Sequence, residues 1–348
     1  MRAVTYAEPR GPLSVVDVAD PSAPPGGALV EVEATGLCRS DWHGWMGHDP
    51  DITTFPHIPG HEFAGTVTQV GEGVDPAWLG RPVTAPFVYA CGDCRVCAGG
   101  DGQVCPRQEQ PGFSLPGSFA QRVVVTAAET NLVALPEDLA PHVAAGLGCR
   151  VATAYRGIVG RARVSHGEWV AVFGCGGVGL SAVAIARSRG ARVLAVDPSP
   201  LALKAAGDLG AEVAVTSGGD AVAEVVEATG GGAQVTLDAF GSAATCRDSV
   251  LALRRRGRQV QIGLLGEVSM AEVPMARVIG WELELLGSHG MAAADYPGLL
   301  ADVSAGRLDL GRLMAEDPPL SLEEVTTALP ALDAGARVPG IRVIDPRL

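Results

Sequence analysis

Residues 169–186 limit the possible folds more than any other stretch, because they contain no charged side chain. The run meets the nominal threshold of about 18 apolar residues for a membrane-spanning helix. Four glycines interrupt it in the middle, however, at positions 174, 176, 177 and 179. An apolar run, a glycine turn and a second apolar run predict a buried strand, a tight turn and a helix inside a globular domain. We therefore expect no membrane span and no membrane partner.

The pattern of strands and helices changes near residue 150. Before this point, proline- and glycine-rich turns separate short alternating strands, predicted at 13–18, 28–34, 63–70 and 119–126. Beyond it, apolar strands alternate with alanine-rich helices, and the strands are predicted at 169–173, 191–196, 212–215, 234–237 and 257–262. This alternation is typical of βαβ units and a parallel sheet. We predict an α/β fold with a β-rich domain over 1–150, a doubly wound parallel sheet over 151–289 and a mixed segment over 290–348.

Composition narrows the functional class. The 348-residue chain carries 26 lysine and arginine residues against 39 aspartate and glutamate residues, for a net charge of −13. This balance, together with the absence of a basic run, argues against a nucleic-acid partner. The N-terminus lacks the apolar segment of a secretion signal. We therefore expect a cytoplasmic protein with reduced thiols.

Four of the eight cysteines lie close together in a glycine-rich stretch: Cys91, Cys94, Cys97 and Cys105. Four thiolates at such spacing can enclose Zn²⁺ in a tetrahedron. The intervals do not match those of the ferredoxin iron–sulfur motifs. With reduced thiols, a metal site is favoured over disulfides or free cysteines. The stretch predicts a structural zinc, which holds a loop together and catalyses nothing itself because its coordination is closed.

The glycine turn after the strand at 169–173 matches a dinucleotide-binding pattern. Gly174, Gly176 and Gly179 satisfy G-x-G-x-x-G, and a second strand ends in Asp197 at about the expected 20-residue interval. Such glycines let the backbone and the helix N-terminus approach a pyrophosphate, and the acid accepts the ribose hydroxyls. No arginine or lysine stands next to Asp197 to receive a 2′-phosphate. The pattern favours NAD over NADP, and the alternative is a tight turn that binds nothing.

Three further motifs place chemically active residues at the ends of predicted elements. Residues 36–43 combine a thiol, a hydroxyl, a carboxylate and an imidazole directly after a strand. His61 and Glu62 begin another strand, where adjacent side chains point to opposite faces, so Glu62 is nearby support or an alternate ligand rather than a simultaneous one. Cys149 begins a helix at the seam between the two halves of the chain. Taken singly, Cys38 is equally well a buried small residue, and a packed residue in a small-residue turn is the alternative for Cys149.

Together these motifs resemble the zinc-containing alcohol dehydrogenases of the medium-chain dehydrogenase/reductase superfamily. Five motifs occur in that family's order, and the resemblance covers nearly the whole chain: residues 36–41, Gly60–His61–Glu62, the four-cysteine stretch, Gly148–Cys149, and the glycine pattern ending at Asp197. The resemblance implies a GroES-like catalytic domain over 1–150 with a structural zinc lobe at about 87–110. It also implies a Rossmann NAD-binding domain over 151–289 and a return to the catalytic domain over 290–348.

The resemblance also implies roles for individual residues near the catalytic metal. Cys38, His61 and Cys149 match the catalytic zinc ligands, which leave a fourth position open. Asp41 matches a carboxylate that orients His61, and Glu62 matches a carboxylate near the zinc. The family's proton relay corresponds to Ser40 and His43.

Further matches concern the cofactor and the substrate. Cofactor-binding positions are Arg39, Thr153, Gly174, Gly176, Gly177, Val178, Gly179, Asp197, Leu264 and Arg342. Substrate-pocket positions are Ser40, Trp42, Phe87 and His289, although ordinary packing explains Trp42 equally well and His289 also has an ordinary structural interpretation.

The implied function is interconversion of an alcohol and an aldehyde or ketone by hydride transfer with NAD(H), with two zinc ions per chain, one catalytic and one structural. A polyol dehydrogenase and a C=C or C=N reductase are the alternatives on the same fold, and a non-catalytic nucleotide-binding protein is a third. The resemblance further implies a homo-oligomer, with a tetramer favoured over a dimer, and a small-molecule alcohol or carbonyl substrate.

Overall fold

A computed structural model describes residues 1–265, 271–332 and 339–348. The chain divides into two compact units. The first unit comprises Met1–Ala152 and Gly290–Leu348, and the second comprises Thr153–His289. The chain therefore builds most of the first unit, forms the second as one continuous segment, and then returns to complete the first.

The first unit is rich in antiparallel strands. Its strands are β1 (Arg2–Thr5), β2 (Ser14–Asp17), β3 (Ala28–Gly36), β4 (Phe63–Val70), β5 (Pro82–Thr84), β6 (Arg122–Val125), β7 (Val133–Ala134) and β14 (Val343–Ile344). Its helices are α1 (Arg39–Trp45), α2 (Arg95–Ala98), α3 (Ala128–Asn131), α4 (Pro141–Ala144), the start of α5 (Arg150–Tyr155), α11 (Tyr296–Ser304) and α12 (Leu322–Ala331).

The main sheet of this unit has the order β14-β3-β4-β5-β7, with β6 also paired to β3, and β1 and β2 form a separate hairpin. Alternation along β3 and β4 sends apolar side chains inward, as the period of two requires. Two apolar clusters result. One contains Val30, Val32, Phe63, Val67 and Tyr89, and the other contains Val4, Leu37, Trp42, Phe119 and Leu329. The strands that carry the site motifs are thereby anchored at their buried faces.

The second unit is a parallel sheet. Its strands are β8 (Trp169–Phe173), β9 (Arg192–Asp197), β10 (Val213–Thr216), β11 (Ala233–Asp238), β12 (Leu253–Gln261) and β13 (Glu284–Gly287). Its helices are α6 (Gly177–Ser188), α7 (Pro200–Asp208), α8 (Ala221–Ala228), α9 (Ala243–Leu251) and α10 (Met275–Trp281), and a π-helical segment over Arg156–Arg161 follows α5.

The sheet order in the second unit is β10-β9-β8-β11-β12-β13, and every pairing between these strands is parallel. This is the doubly wound order of a dinucleotide-binding fold, whose topological switch point lies between the first and fourth strands. Here those strands are β8 and β11. All five residues of β8 are buried, because a central parallel strand is covered on both faces. The predicted α/β class is confirmed, with a parallel sheet and a separate antiparallel sheet.

All the predicted strands are present, but their limits differ in places. The uncharged run at 169–186 forms β8, the glycine turn and most of α6. No helix among the described residues is long and apolar enough to cross a membrane. The strands not predicted from the sequence are β1, β5, β7, β13 and β14. The residues of the edge strand β13 are mostly exposed, so it lacks the continuous apolar run of its buried neighbours.

Candidate active site

Three potential metal ligands meet in the first unit. The sulfur atoms of Cys38 and Cys149 and a ring nitrogen of His61 lie within 4.8 Å of one another, and all three residues are buried. Cys38 follows β3, His61 precedes β4, and Cys149 precedes α5. The antiparallel pairing of β3 with β4 brings the first two together. Residues distant in the sequence therefore form one compact donor group.

A buried carboxylate orients the imidazole of His61. Asp41 Oδ1 lies 2.8 Å from His61 Nδ1 and also accepts a hydrogen bond from Gly60 N at 3.2 Å. Asp41 Oδ2 accepts from Cys38 N at 3.0 Å, at the start of α1. Burial disfavours the charged imidazole, but the Asp41 carboxylate outweighs burial, so the pKa of His61 is raised well above its usual value. The ring is thus held by its Nδ1 side.

The other ring nitrogen of His61 is the strongest sign of a bound cation. Nε2 is buried and has no hydrogen-bond partner among the described residues, and an unsatisfied buried polar atom is costly. Interaction with the Cys149 thiol lowers the pKa of Cys38 well below its usual value, and that of Cys149 is raised in turn. Two sulfurs and one free imidazole nitrogen are the donor types that zinc prefers. The residues therefore fit a zinc ion with one further ligand.

Glu62 is buried beside this group and forms an ion pair with the Arg150 guanidinium. Its Oε2 also accepts a hydrogen bond from the backbone N–H of Arg150 at 3.2 Å. Burial raises the pKa of Glu62, although the charge on Arg150 acts against the rise. Both carboxylate oxygens of Glu62 thus contact Arg150. The sequence left two roles open for Glu62, a nearby supporting carboxylate or an alternate metal ligand, and this contact is relevant to both.

The four-cysteine stretch forms a second donor group, in which the sulfur atoms of Cys91, Cys94, Cys97 and Cys105 all lie within 4.8 Å of one another. Measured sulfur separations are 3.4 Å for Cys94–Cys97 and Cys91–Cys105, and 3.8 Å for Cys91–Cys97 and Cys94–Cys105. A tetrahedron with zinc–sulfur bonds of about 2.3 Å has edges of roughly 3.8 Å. A hydrogen bond from the Cys97 backbone N–H lowers the pKa of Cys94 to about 6. The group therefore fits a closed zinc site.

Ser40 and His43 lie on α1, three residues apart and so on one face of the helix. Both are half-buried. His43 Nδ1 lies 3.0 Å from Nδ1 of His48, and its ring packs edge-on against Trp42. Burial, the Arg39 guanidinium and His48 together lower the pKa of His43 below its usual value. The imidazole is therefore neutral near pH 7 and can accept a proton.

The side chain of Trp42 packs inside the first unit. Its side chain is only 6% exposed and packs in the apolar cluster that contains Leu37 and Phe119. The guanidinium carbon of Arg39 lies 4.1 Å from the Trp42 ring centroid, and Arg39 Nη1 donates to the Leu332 carbonyl at 2.6 Å. Trp42 is thus a core residue that braces α1, and its role as a wall of the substrate pocket stays a prediction.

In the glycine turn of the second unit, the backbone packs closely at two glycines and is open at a third. Gly174 has φ +88°, and a Cβ on Gly179 would collide with the Gly174 carbonyl oxygen. A Cβ on Gly176 would instead point into open space, with nothing within 4 Å. Gly177 and Val178 form the first turn of α6, whose backbone N–H groups and dipole favour an anion. The turn therefore offers a cradle open on one side.

Asp197 stands at the end of β9, next to this turn. Its Oδ2 accepts from Cys175 N and its Oδ1 accepts from Ser199 N, both at 2.8 Å. The carboxylate is 1% exposed. These two hydrogen bonds hold it at the carboxyl end of the parallel sheet, where ligands of this fold bind.

The other predicted positions have varied surroundings. Thr153 is buried, and its Oγ1 has no hydrogen-bond partner among the described residues. Leu264 is 81% exposed. The Phe87 ring lies 6.1 Å from that of His61. His289 is exposed and Arg342 is half-buried, and desolvation lowers the pKa of His289.

Cys38, His61 and Cys149 are called the metal-binding group below. Two residues beside this group were not predicted from the sequence as site residues. The Phe113 ring centroid lies 5.3 Å from that of His61, and Phe113 is 6% exposed. No local pattern marks Phe113, because only the tertiary fold brings it to His61. Arg150 was also missed, although its position next to Cys149 in the sequence was a usable signal.

Comparisons with known proteins agree with this geometry. Residues 24–137 match the family model of the alcohol dehydrogenase GroES-like domain, and residues 177–305 match that of the zinc-binding dehydrogenases. The chain is 34% identical over 276 residues to an alcohol dehydrogenase of Geobacillus stearothermophilus, covering 79% of this chain and 80% of that protein. It is also 28% identical over 333 residues to a sorbitol dehydrogenase of Halalkalibacterium halodurans, covering 94% of each.

A solved structure shows the same overall fold. A short chain alcohol dehydrogenase (rspB) from E. coli CFT073, complexed with the cofactor NADH, has a TM-score of 0.88 at 25% identity, with 99% of both chains covered. The fold, the two donor groups and these matches define a medium-chain dehydrogenase/reductase. The chain belongs to the zinc-dependent alcohol dehydrogenase family of that superfamily.

The glycine turn leads to a testable contrast between two substitutions. We expect Gly179→Ala to lower the free energy of unfolding by about 1–3 kcal/mol, because its Cβ would displace the Gly174 backbone. Gly176→Ala should leave stability unchanged and weaken NADH binding at least about tenfold, because its Cβ enters the open cradle. Thermal unfolding and fluorescence titration with NADH measure the two effects. Equal loss of stability in both variants would contradict this geometry.

Proposed function

We propose that the chain is an NAD-dependent, zinc-dependent alcohol dehydrogenase that interconverts an alcohol and an aldehyde or ketone. The observation that carries this proposal is the buried group of Cys38, His61 and Cys149, in which His61 Nε2 has no partner among the described residues. Two thiols and one imidazole match the donor set of a catalytic zinc with an open position, and alcohol dehydrogenases use this same set.

In this proposal Cys38, His61 and Cys149 hold a catalytic zinc, and the four-cysteine group holds a structural one. When bound, the catalytic zinc supplies a Lewis acid that polarises the substrate oxygen. Asp41 keeps His61 Nε2 available by engaging Nδ1. Ser40 accepts the hydroxyl proton of the alcohol and passes it to His43, whose lowered pKa keeps its imidazole neutral and able to receive it.

The glycine turn and Asp197 support NAD as the hydride acceptor. The N-terminus of α6 suits a pyrophosphate, and the Asp197 carboxylate suits the ribose hydroxyls. We assign Arg39 and Arg342 to the pyrophosphate, and Thr153 and Leu264 to the nicotinamide side. The buried, unpartnered hydroxyl of Thr153 and the exposed side chain of Leu264 support these assignments. NADH in the related E. coli structure points the same way.

A polyol substrate is the second candidate, because the sorbitol dehydrogenase of H. halodurans matches 94% of the chain. The Ser40 and His43 pair favours alcohol and carbonyl chemistry over reduction of a C=C or C=N bond, which has less need of a proton exit. The proposed pocket residues remain Ser40, Trp42, Phe87 and His289. A homo-oligomer, tetrameric rather than dimeric, remains part of the proposal on the strength of the family resemblance.

The proposed activity can be tested directly with a substrate panel. We expect NADH formation, followed by absorbance, with at least one member of a set of simple alcohols and polyols, and NADH consumption with the matching carbonyl. Enones are assayed in the same panel by NADH consumption. Turnover confined to polyols would favour the second candidate. Turnover of enones alone, with no alcohol or carbonyl accepted, would refute the proposal.

Two cysteine substitutions separate the two metal sites. We expect about two zinc ions per chain in the wild-type protein and about one in each variant. Cys38→Ser should abolish turnover and leave NADH binding nearly unchanged. Cys94→Ser should lower the melting temperature and retain turnover below it. Metal analysis, NADH titration and thermal unfolding measure these effects, and full activity of Cys38→Ser would contradict the catalytic assignment.

The relay predicts a pH-dependent defect. His43→Gln removes the proton acceptor, so kcat for alcohol oxidation should fall by about 10²-fold at pH 7. The defect should shrink as pH rises, because hydroxide and buffer bases take over. Because the pKa of His43 is lowered, its imidazole stays neutral at pH values below the usual pKa of histidine. The wild-type rate of alcohol oxidation should therefore be maintained down to such pH values. His142→Gln, at an exposed histidine of the same unit, is the control, and an equal rate in both variants would exclude the relay.

A further inference from the structure

Arg150 has surroundings that are unusual for its residue type. Among the described residues it is the only arginine or lysine that is buried, at 6% exposure. Its guanidinium forms an ion pair with Glu62, which is fully buried. Its Nη1 donates to the Leu37 carbonyl at 3.1 Å, and its backbone N–H donates to Glu62 Oε2 at 3.2 Å. Arg150 therefore engages both carboxylate oxygens, one through its side chain and one through its main chain.

The space for this ion pair is built into the end of β3. A Cβ on Gly36 would collide with both Glu62 Oε1 and Arg150 Nη2. The Gly36 N–H in turn donates to the Glu62 carbonyl at 2.9 Å. A residue with any side chain at position 36 would push the ion pair apart. The ion pair therefore occupies the space that a side chain at position 36 would fill.

The ion pair lies beside the metal-binding group but outside it. Arg150 follows Cys149 directly, and Glu62 follows His61 directly. The buried donor atoms within 4.8 Å of one another come from Cys38, His61 and Cys149, and no oxygen of Glu62 belongs to that group. A carboxylate is a competent zinc ligand, and an unpaired buried carboxylate is strongly unfavourable. Without Arg150, a metal ion bound by the neighbouring His61 and Cys149 would offer Glu62 a compensating positive charge.

We infer that Arg150 is a positioning residue that holds the Glu62 carboxylate away from the catalytic metal and so keeps the fourth ligand position open for the substrate oxygen. The inference rests on the proposed function, because it requires a metal at Cys38, His61 and Cys149. It decides between the two roles left open for Glu62: support, with its charge balanced by Arg150, rather than alternate ligand.

The test uses protein in which Co²⁺ replaces zinc, titrated with imidazole. Imidazole binds only an open metal position, so the change in the visible spectrum reports the catalytic site and not the closed four-cysteine site. Arg150→Met should weaken imidazole binding about tenfold, a change of about 1.4 kcal/mol, because Glu62 then competes for the position. The double variant Glu62→Gln/Arg150→Met should restore wild-type affinity within about threefold, since its neutral amide is a poor competitor.

Arg150→Lys provides a rescue, because it keeps the charge beside Glu62, and its affinity should lie between those of the wild type and Arg150→Met. If Arg150→Met fails to fold, Arg150→Gln takes its place with the same expectation, since its neutral amide also leaves Glu62 without a counter-charge. In all variants, the KM of the alcohol should rise with the dissociation constant of imidazole, while NADH affinity stays unchanged.

Two results would overturn the inference. Wild-type imidazole affinity in Arg150→Met would show that Glu62 does not move to the metal. Equal weakening in the single and the double variant would reduce Arg150 to a structural residue. A different result would overturn the proposed function first: if imidazole causes no spectral change in the wild-type protein, or if the change persists in Cys38→Ser, the metal does not bind where proposed.

Discussion

The Asp41 carboxylate makes the contacts that hold the metal-binding group together. It accepts hydrogen bonds from Cys38 N and Gly60 N and lies 2.8 Å from His61 Nδ1. These contacts tie the start of α1 to the segment that precedes β4. A fully buried carboxylate is stable only when its lone pairs are satisfied, so Asp41 requires these partners as much as they require it. The Asp41 side chain therefore fixes both the position of Cys38 and the orientation of the His61 ring.

Charge balance is the second constraint on this site. Two thiols, Asp41 and Glu62 bring several potential negative charges into a buried region. In the proposed function a divalent metal would offset the thiolates, whereas Asp41 is hydrogen-bonded to His61 Nδ1 and Glu62 is paired with Arg150. Each buried acid thus has a partner, which is the condition under which buried charges are tolerated. The neutral spacing residue Gly36 matters for the same reason, because it leaves room for the last of these pairs.

In the second unit the equivalent constraint is steric. Gly179 lies so close to the Gly174 carbonyl that no side chain fits between them, and this contact packs α6 against the end of β8. The parallel pairing of β8 with β9 then sets Asp197 beside the turn. A nucleotide-binding edge follows from close backbone packing rather than from any one polar residue.

The α/β class, the parallel sheet of the second unit and the four-cysteine group could be predicted from the amino-acid sequence, because apolar periodicity, glycine spacing and cysteine spacing are local signals. The ligand roles of Cys38, His61 and Cys149 came from the family resemblance instead. The exposed edge strand β13 escaped prediction, since it carries no such signal. Three features emerged only from the folded chain: Trp42 belongs to the core, Phe113 lies beside His61, and Arg150 pairs with Glu62. These contacts join residues that are far apart in the sequence. Their free energy depends on how deeply the folded chain buries each side chain and on which charges it brings together, and no local stretch of sequence specifies either.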